Sequence, residues 1–140
     1  MMLVGFFVFG EKFQSKTGTK MNEKTTTIDF DKMDGLVPGI VQDARTGEVL
    51  MLGFLNAASY AKTQETGFVT FWSRTRQKLW MKGETSGNRL RIVSAATDCD
   101  NDTLLFRVEV EGDGLVCHEG TVSCFTRPIA AAPWTEVSRG

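Results

Sequence analysis

All three cysteines of the chain, its only histidine and its densest run of carboxylates fall between Asp98 and Cys124. The stretch opens Asp98-Cys99-Asp100-Asn101-Asp102, passes through the apolar run Leu104–Val108, and closes Cys117-His118-Glu119-Gly120-Thr121-Val122-Ser123-Cys124. Thiolates suit zinc and carboxylates suit magnesium. The rest of the chain is therefore read as the support that presents these two ends.

An odd number of cysteines, in a chain whose opening lacks a basic start, points to reduced thiols and a cytoplasmic compartment rather than a disulfide framework. The apolar start, Met1–Gly10, is too short to span a bilayer, so no membrane partner is expected. A formal net charge of -1, from 16 basic and 17 acidic side chains, excludes a global positive field for nucleic acid. Any anion must be recognised locally.

A length of 140 residues with 41% hydrophobic content fits one domain with a real core. Residues 1–28 are polar after the apolar start and read as a mobile tail, with Met21 as an alternative start. The domain is expected over 29–128, and 129–140 is expected to be loosely held. Val37–Asp43 and Glu48–Leu55 are strand-like and joined by Ala44–Gly47, a hairpin in which Gly47 takes positive φ. Asn56 caps a helix through Glu65, and Gly67 stands where a left-handed C-cap belongs. Further strands are predicted at Phe68–Trp72, Leu90–Val93, Thr103–Val110 and near Thr121–Thr126. The fold class is α+β: a compact, β-rich domain with one principal helix.

Cys99, Cys117 and Cys124 supply the three protein ligands a catalytic zinc site uses, although lone cysteines of cytosolic proteins are usually small buried hydrophobes. Cys99 lies between aspartates and Cys117 beside His118, which is poor company for a dry core. Asp98, Asp100 and Asp102 alternate, so on an extended segment they project to one side and Cys99 to the other. Such a cluster either binds a hard cation or is a solvated turn favoured by Asn101. An EF-hand loop is excluded, because its obligatory glycine is missing.

His118 is either a fourth ligand or a proton-transfer group. Ser73–Asn88 reads as a donor-rich loop in which Arg74, Arg76, Lys78 and Lys82 with Thr85, Ser86 and the Gly87 amide suit phosphate, Arg74 and Lys82 foremost, with a solvated basic surface as the plain alternative. A zinc nucleobase deaminase is a weaker reading, since the His-x-Glu and Pro-Cys-x-x-Cys patterns are absent. A noncatalytic zinc module closed by His118, its basic loop binding phosphate or RNA, is the remaining class.

Taken in order, Gly35-Leu36-Val37-Pro38, Val41-Gln42-Asp43, Val49–Leu52, Phe71-Trp72-Ser73-Arg74, Leu79–Asn88, Asp98-Cys99-Asp100 and Cys117-His118 resemble the phosphoribosyl-AMP cyclohydrolase family of histidine biosynthesis. The resemblance runs from about Gly35 to Arg127. It implies an intertwined homodimer with Cys99, Cys117 and Cys124 binding zinc contributed from both subunits, and Asp98, Asp100 and Asp102 binding magnesium. It also implies a small-molecule nucleotide substrate whose adenine ring opens between nitrogen 1 and carbon 6; for that reaction His118 is the candidate proton shuttle. The family often carries a following phosphoribosyl-ATP pyrophosphohydrolase domain, and here that earlier step is expected from another protein.

Overall fold

The computed structural model describes residues 26–129. A 3-10 turn at Asp31–Met33 leads into the expected hairpin, strands β1 (Val37–Asp43) and β2 (Val49–Leu55). Asp43 builds the turn: its carboxylate accepts from the amides of Arg45 at 2.7 Å and Thr46 at 2.9 Å, and Gly47 takes φ 82°. These donors, Thr46 first, hold the Asp43 carboxyl below its ordinary range against a partial burial that opposes them.

Helix α1 (Ala57–Thr66) follows at once because Asn56 is its N-cap. Asn56 Oδ1 accepts from the Ser59 amide at 2.9 Å while Ser59 Oγ accepts from the Asn56 amide at 3.0 Å, a reciprocal capping box. Gly67, at φ 81°, closes the helix one residue beyond the expected Glu65. The buried residues of the helix are Ser59 and Thr63. Thr63 Oγ1 accepts from the Thr70 amide at 2.9 Å, so the helix is joined to the next strand by a hydroxyl and not by an apolar stripe.

Strands β3 (Thr70–Ser73) and β4 (Lys78–Met81) form a separate two-stranded sheet. Strand β4 corrects the expected Ser73–Asn88 loop. Phe71 stands opposite Trp80, with ring centroids 5.7 Å apart, and this cross-strand aromatic pair outweighs the polar composition around it. Strands β5 (Leu90–Thr97) and β6 (Leu104–Val110) complete a four-stranded sheet in the order β2-β1-β6-β5, with β1 and β6 parallel and the other pairs antiparallel. Strand β5 runs past the expected Val93, because Ser94–Thr97 keep backbone register with Leu104–Arg107.

The strand expected near Thr121–Thr126 does not form. The Ser123 hydroxyl donates to the Val49 carbonyl at 2.8 Å and accepts from the Phe125 amide at 3.0 Å, while the Cys124 amide donates to the Leu50 carbonyl at 2.8 Å. One side-chain bond and one main-chain bond therefore pin an irregular loop to β2 where a strand was predicted.

Val37, Val41, Leu50, Leu55, Val69, Phe71, Leu90, Phe106 and Val108 are the most deeply buried side chains of the core. Gly53 lets the Phe71 ring come close to the hairpin, since a Cβ there would stand 2.5 Å from it. The domain is thus β-rich with one α-helix. Met21 and the expected tails lie outside the described residues, apart from residues 26–28 and 129, and Ile28 packs into the core. Among the described residues no helix is long and apolar enough to cross a membrane.

Candidate metal centre and active site

Strand β5 must reverse into antiparallel β6 between Thr97 and Leu104, so Asp98–Asp102 forms a tight turn and not the extended segment expected. The Asn101 amide donates to the Asp98 carbonyl at 3.1 Å, and Asn101 takes φ 63°, a conformation asparagine tolerates. Asp98 Oδ1 accepts from the amides of Asp102 at 3.0 Å and Thr103 at 3.2 Å. The turn, rather than strand alternation, gathers ligand oxygens of Asp98, Asp100 and Asp102 within 4.8 Å of one another. Among the described residues this is the one group of three or more His, Cys, Asp or Glu side chains so gathered.

Burial pushes the Asp98 carboxyl up, but hydrogen bonds from Asp102 and Thr103 together outweigh it and leave the group below its ordinary value. Burial and the neighbouring Asp100 hold Asp102 above its ordinary value. Lys32, from the 3-10 turn, approaches Asp100 Oδ2 at 3.2 Å and Asp102 Oδ2 at 3.4 Å. The Asp100 contact, foremost, raises the lysine's own pKa. Three hard oxygen donors at this spacing fit a magnesium-like cation.

The thiols are placed by a different device. The Cys117 amide donates to the Thr121 carbonyl at 3.0 Å, the Gly120 amide returns to the Cys117 carbonyl at 2.9 Å, and Cys124 is tied to β2 as described. This folded-back loop carries Cys117 and Cys124 near enough for each thiol to shift the pKa of the other. The Glu119 amide lowers the pKa of Cys117, favouring the thiolate that binds metal, whereas burial and then the Cys117 neighbour raise that of Cys124. Cys99 stays exposed on the acidic turn and is not gathered with the other two within one chain. Two thiols on one loop, one of them acidified, are ligands of the type zinc prefers.

A cleft of about 440 Å³ joins this loop to the basic segment. Lys82, Thr85 and Ser86 line it together with Cys117 and His118. Arg74 and Gly87 do not line this cleft: the Arg74 guanidinium lies over the Phe54 ring at 4.2 Å, and the Gly87 amide donates to the Gly83 carbonyl at 2.8 Å. Arg76 of the same basic segment lines it too, as do Glu84 and Asn88 of the expected substrate segment and Trp80, for which the sequence suggested no role. Asn88 is buried, accepts from the Asp113 amide at 2.9 Å and donates to the Leu115 carbonyl at 3.0 Å, stapling the basic loop to the segment that enters Cys117. Its only sequence signal is a polar residue beside Gly87, which does not reveal a partner 27 residues away.

Residues 51–126 match the family described as "PRA-CH: Phosphoribosyl-AMP cyclohydrolase", a span that includes the basic loop, the acidic turn and all three cysteines. A phosphoribosyl-AMP cyclohydrolase of Solibacter usitatus (strain Ellin6076) is 54% identical over 107 residues, covering 76% of this chain and 84% of that protein. One of Desulfatibacillum aliphaticivorans is 52% identical over 110 residues, covering 79% of this chain and 87% of that protein. The histidine biosynthesis bifunctional protein HisIE of Escherichia coli (strain K12) is 60% identical over 98 residues, which cover 70% of this chain but 47% of the longer relative. With the cleft, the acidic turn and the thiol loop all inside the matched span, the chain belongs to the phosphoribosyl-AMP cyclohydrolase family.

Proposed function

We propose that the chain hydrolyses 1-(5-phosphoribosyl)-AMP, adding water at carbon 6 of the adenine ring and breaking its bond to nitrogen 1, as the third step of histidine biosynthesis. The observation that carries this reading is the cleft in which Lys82, Thr85 and Ser86 face Cys117 and His118. Phosphate-binding groups and the Cys117 thiol with its neighbour His118 then flank one space large enough for part of a nucleotide.

Cys117 and Cys124 hold zinc together with Cys99 supplied by a second copy of the chain, which makes the active form an intertwined homodimer. The mutual influence of the Cys117 and Cys124 thiols and the exposed position of Cys99 on a different turn support this assignment. When bound, zinc supplies the Lewis acidity that generates a nucleophile from water near neutral pH. Asp98, Asp100 and Asp102 hold magnesium, which orders a substrate phosphate or maintains the local architecture.

His118 moves the proton from the attacking water to the ring nitrogen as the bond to carbon 6 breaks. Lys82, Thr85 and Ser86 anchor one phosphate, Arg74 the other, and Gly87 shapes the loop that presents them. Both metals are required for turnover, and the three thiols fit a reducing cytoplasm. Incubation of the zinc- and magnesium-loaded protein with phosphoribosyl-AMP should give a product heavier by one water that retains every nitrogen. Release of ammonia would indicate deamination, and an unchanged substrate would reject the assignment.

A further inference from the structure

Lys32 occupies the place from which a cation serves the acidic turn. Its ammonium donates to Asp100 Oδ2 at 3.2 Å and to the Asp100 carbonyl at 3.3 Å, and lies 3.4 Å from Asp102 Oδ2. The segment that carries it is docked at several points. Ile28 is buried in the core, the Asp29 amide donates to the Asn101 carbonyl at 2.7 Å, and Phe30 packs against Tyr60 with ring centroids 6.0 Å apart.

We propose that Lys32 is a built-in counter-ion of the acidic turn, holding its carboxylates together before a divalent ion binds and being displaced when one arrives. This rests on the magnesium site assigned above. The ammonium faces oxygens of the same carboxylates that a hard cation would coordinate, and two positive charges cannot share them at such distances without strong repulsion. Asp98 Oδ1 is already engaged by two amides, so Lys32 acts on Asp100 and Asp102. Lys32 thereby sets the concentration of divalent ion at which the turn loads. By linkage, loading frees the amine of Lys32.

The test uses the zinc-loaded full chain and Mn2+ as probe, with free ion followed by electron paramagnetic resonance. Lys32→Met should bind Mn2+ about three- to tenfold more tightly than the unaltered chain, as expected for losing two exposed charge pairs, while Lys32→Arg stays within about twofold. Equal or weaker binding by a folded Lys32→Met variant overturns the proposal. Should that variant fail to fold, the unaltered chain decides: acetylation of the Lys32 amine by an N-hydroxysuccinimide ester, read by peptide mass spectrometry, should rise as Mn2+ saturates while the other lysines hold steady. Labelling of Lys32 that ignores saturating Mn2+ overturns it as well. Asp100→Asn separates the two readings. If it binds Mn2+ as well as the unaltered chain, the magnesium site itself is misplaced and the proposal falls with it. If it loses the ion, any failure belongs to Lys32 alone.

Discussion

Replacing Asn88 by Ala removes one side chain and leaves two backbone groups without partners, the Asp113 amide bonded at 2.9 Å and the Leu115 carbonyl bonded at 3.0 Å. Asn88 is 8% exposed, so water has little access to replace either bond. An intramolecular hydrogen bond contributes about 0.5–1.5 kcal/mol net, and a buried group left unpaired costs about 1–3 kcal/mol. For two such groups, one near the surface, the expected loss is about 2–4 kcal/mol. Urea denaturation of the Ala variant measures this as a lower midpoint at nearly constant slope. Because Leu115 leads directly into Val116 and Cys117, kcat/KM should fall even at temperatures where the variant is fully folded. Gly112→Ala attacks the same staple from the other side, since a Cβ there would stand 2.1 Å from Asn88 Oδ1 and Gly112 has φ 69°. Both variants should share one phenotype. An Ala variant at position 88 within about 0.5 kcal/mol of the parent, with unchanged kcat/KM, would refute the staple.

Cys117→Ser should lose zinc and turnover together, because a hydroxyl is a much poorer zinc ligand than a thiolate, as elemental analysis and an activity assay would register. Asp100→Asn should instead weaken magnesium binding, raising the magnesium concentration needed for turnover, with zinc content near normal; loss of the same metal in both variants would contradict two separate sites. His118→Ala should slow turnover by about 10² to 10⁴ with zinc retained, whereas loss of zinc would make the histidine a ligand. The Asp43 carboxyl is held below its ordinary value in the folded state, so its contribution to stability is complete above the unfolded value of about 3.9 and is lost as pH falls through the folded one. Urea midpoints measured from pH 5 downward should therefore fall less steeply in Asp43→Asn than in the parent, and parallel curves would reject the assignment.

The hairpin and the helix are legible in the sequence because their decisive contacts lie within a few residues. Asp43 reaches Thr46, Asn56 reaches Ser59, and Gly67 closes the helix on Thr63. The types of ligand are legible for the same reason: thiols and carboxylates announce their preferred metals wherever the fold puts them. What the tertiary structure decides is which of them meet. Strand β4 exists because Trp80 finds Phe71, and the segment 121–126 stays irregular because Ser123 finds Val49, contacts that no local composition reveals. The carboxylates converge because β5 has to reverse into β6, while Cys117 and Cys124 converge because a loop is pinned to β2. Cys99 lies only one residue from two of those aspartates yet is separated from the other thiols. Lys32, 68 residues from Asp100, carries no mark in the sequence of the charge it neutralises, because long-range pairing depends on how the sheet and its flanking turn close together.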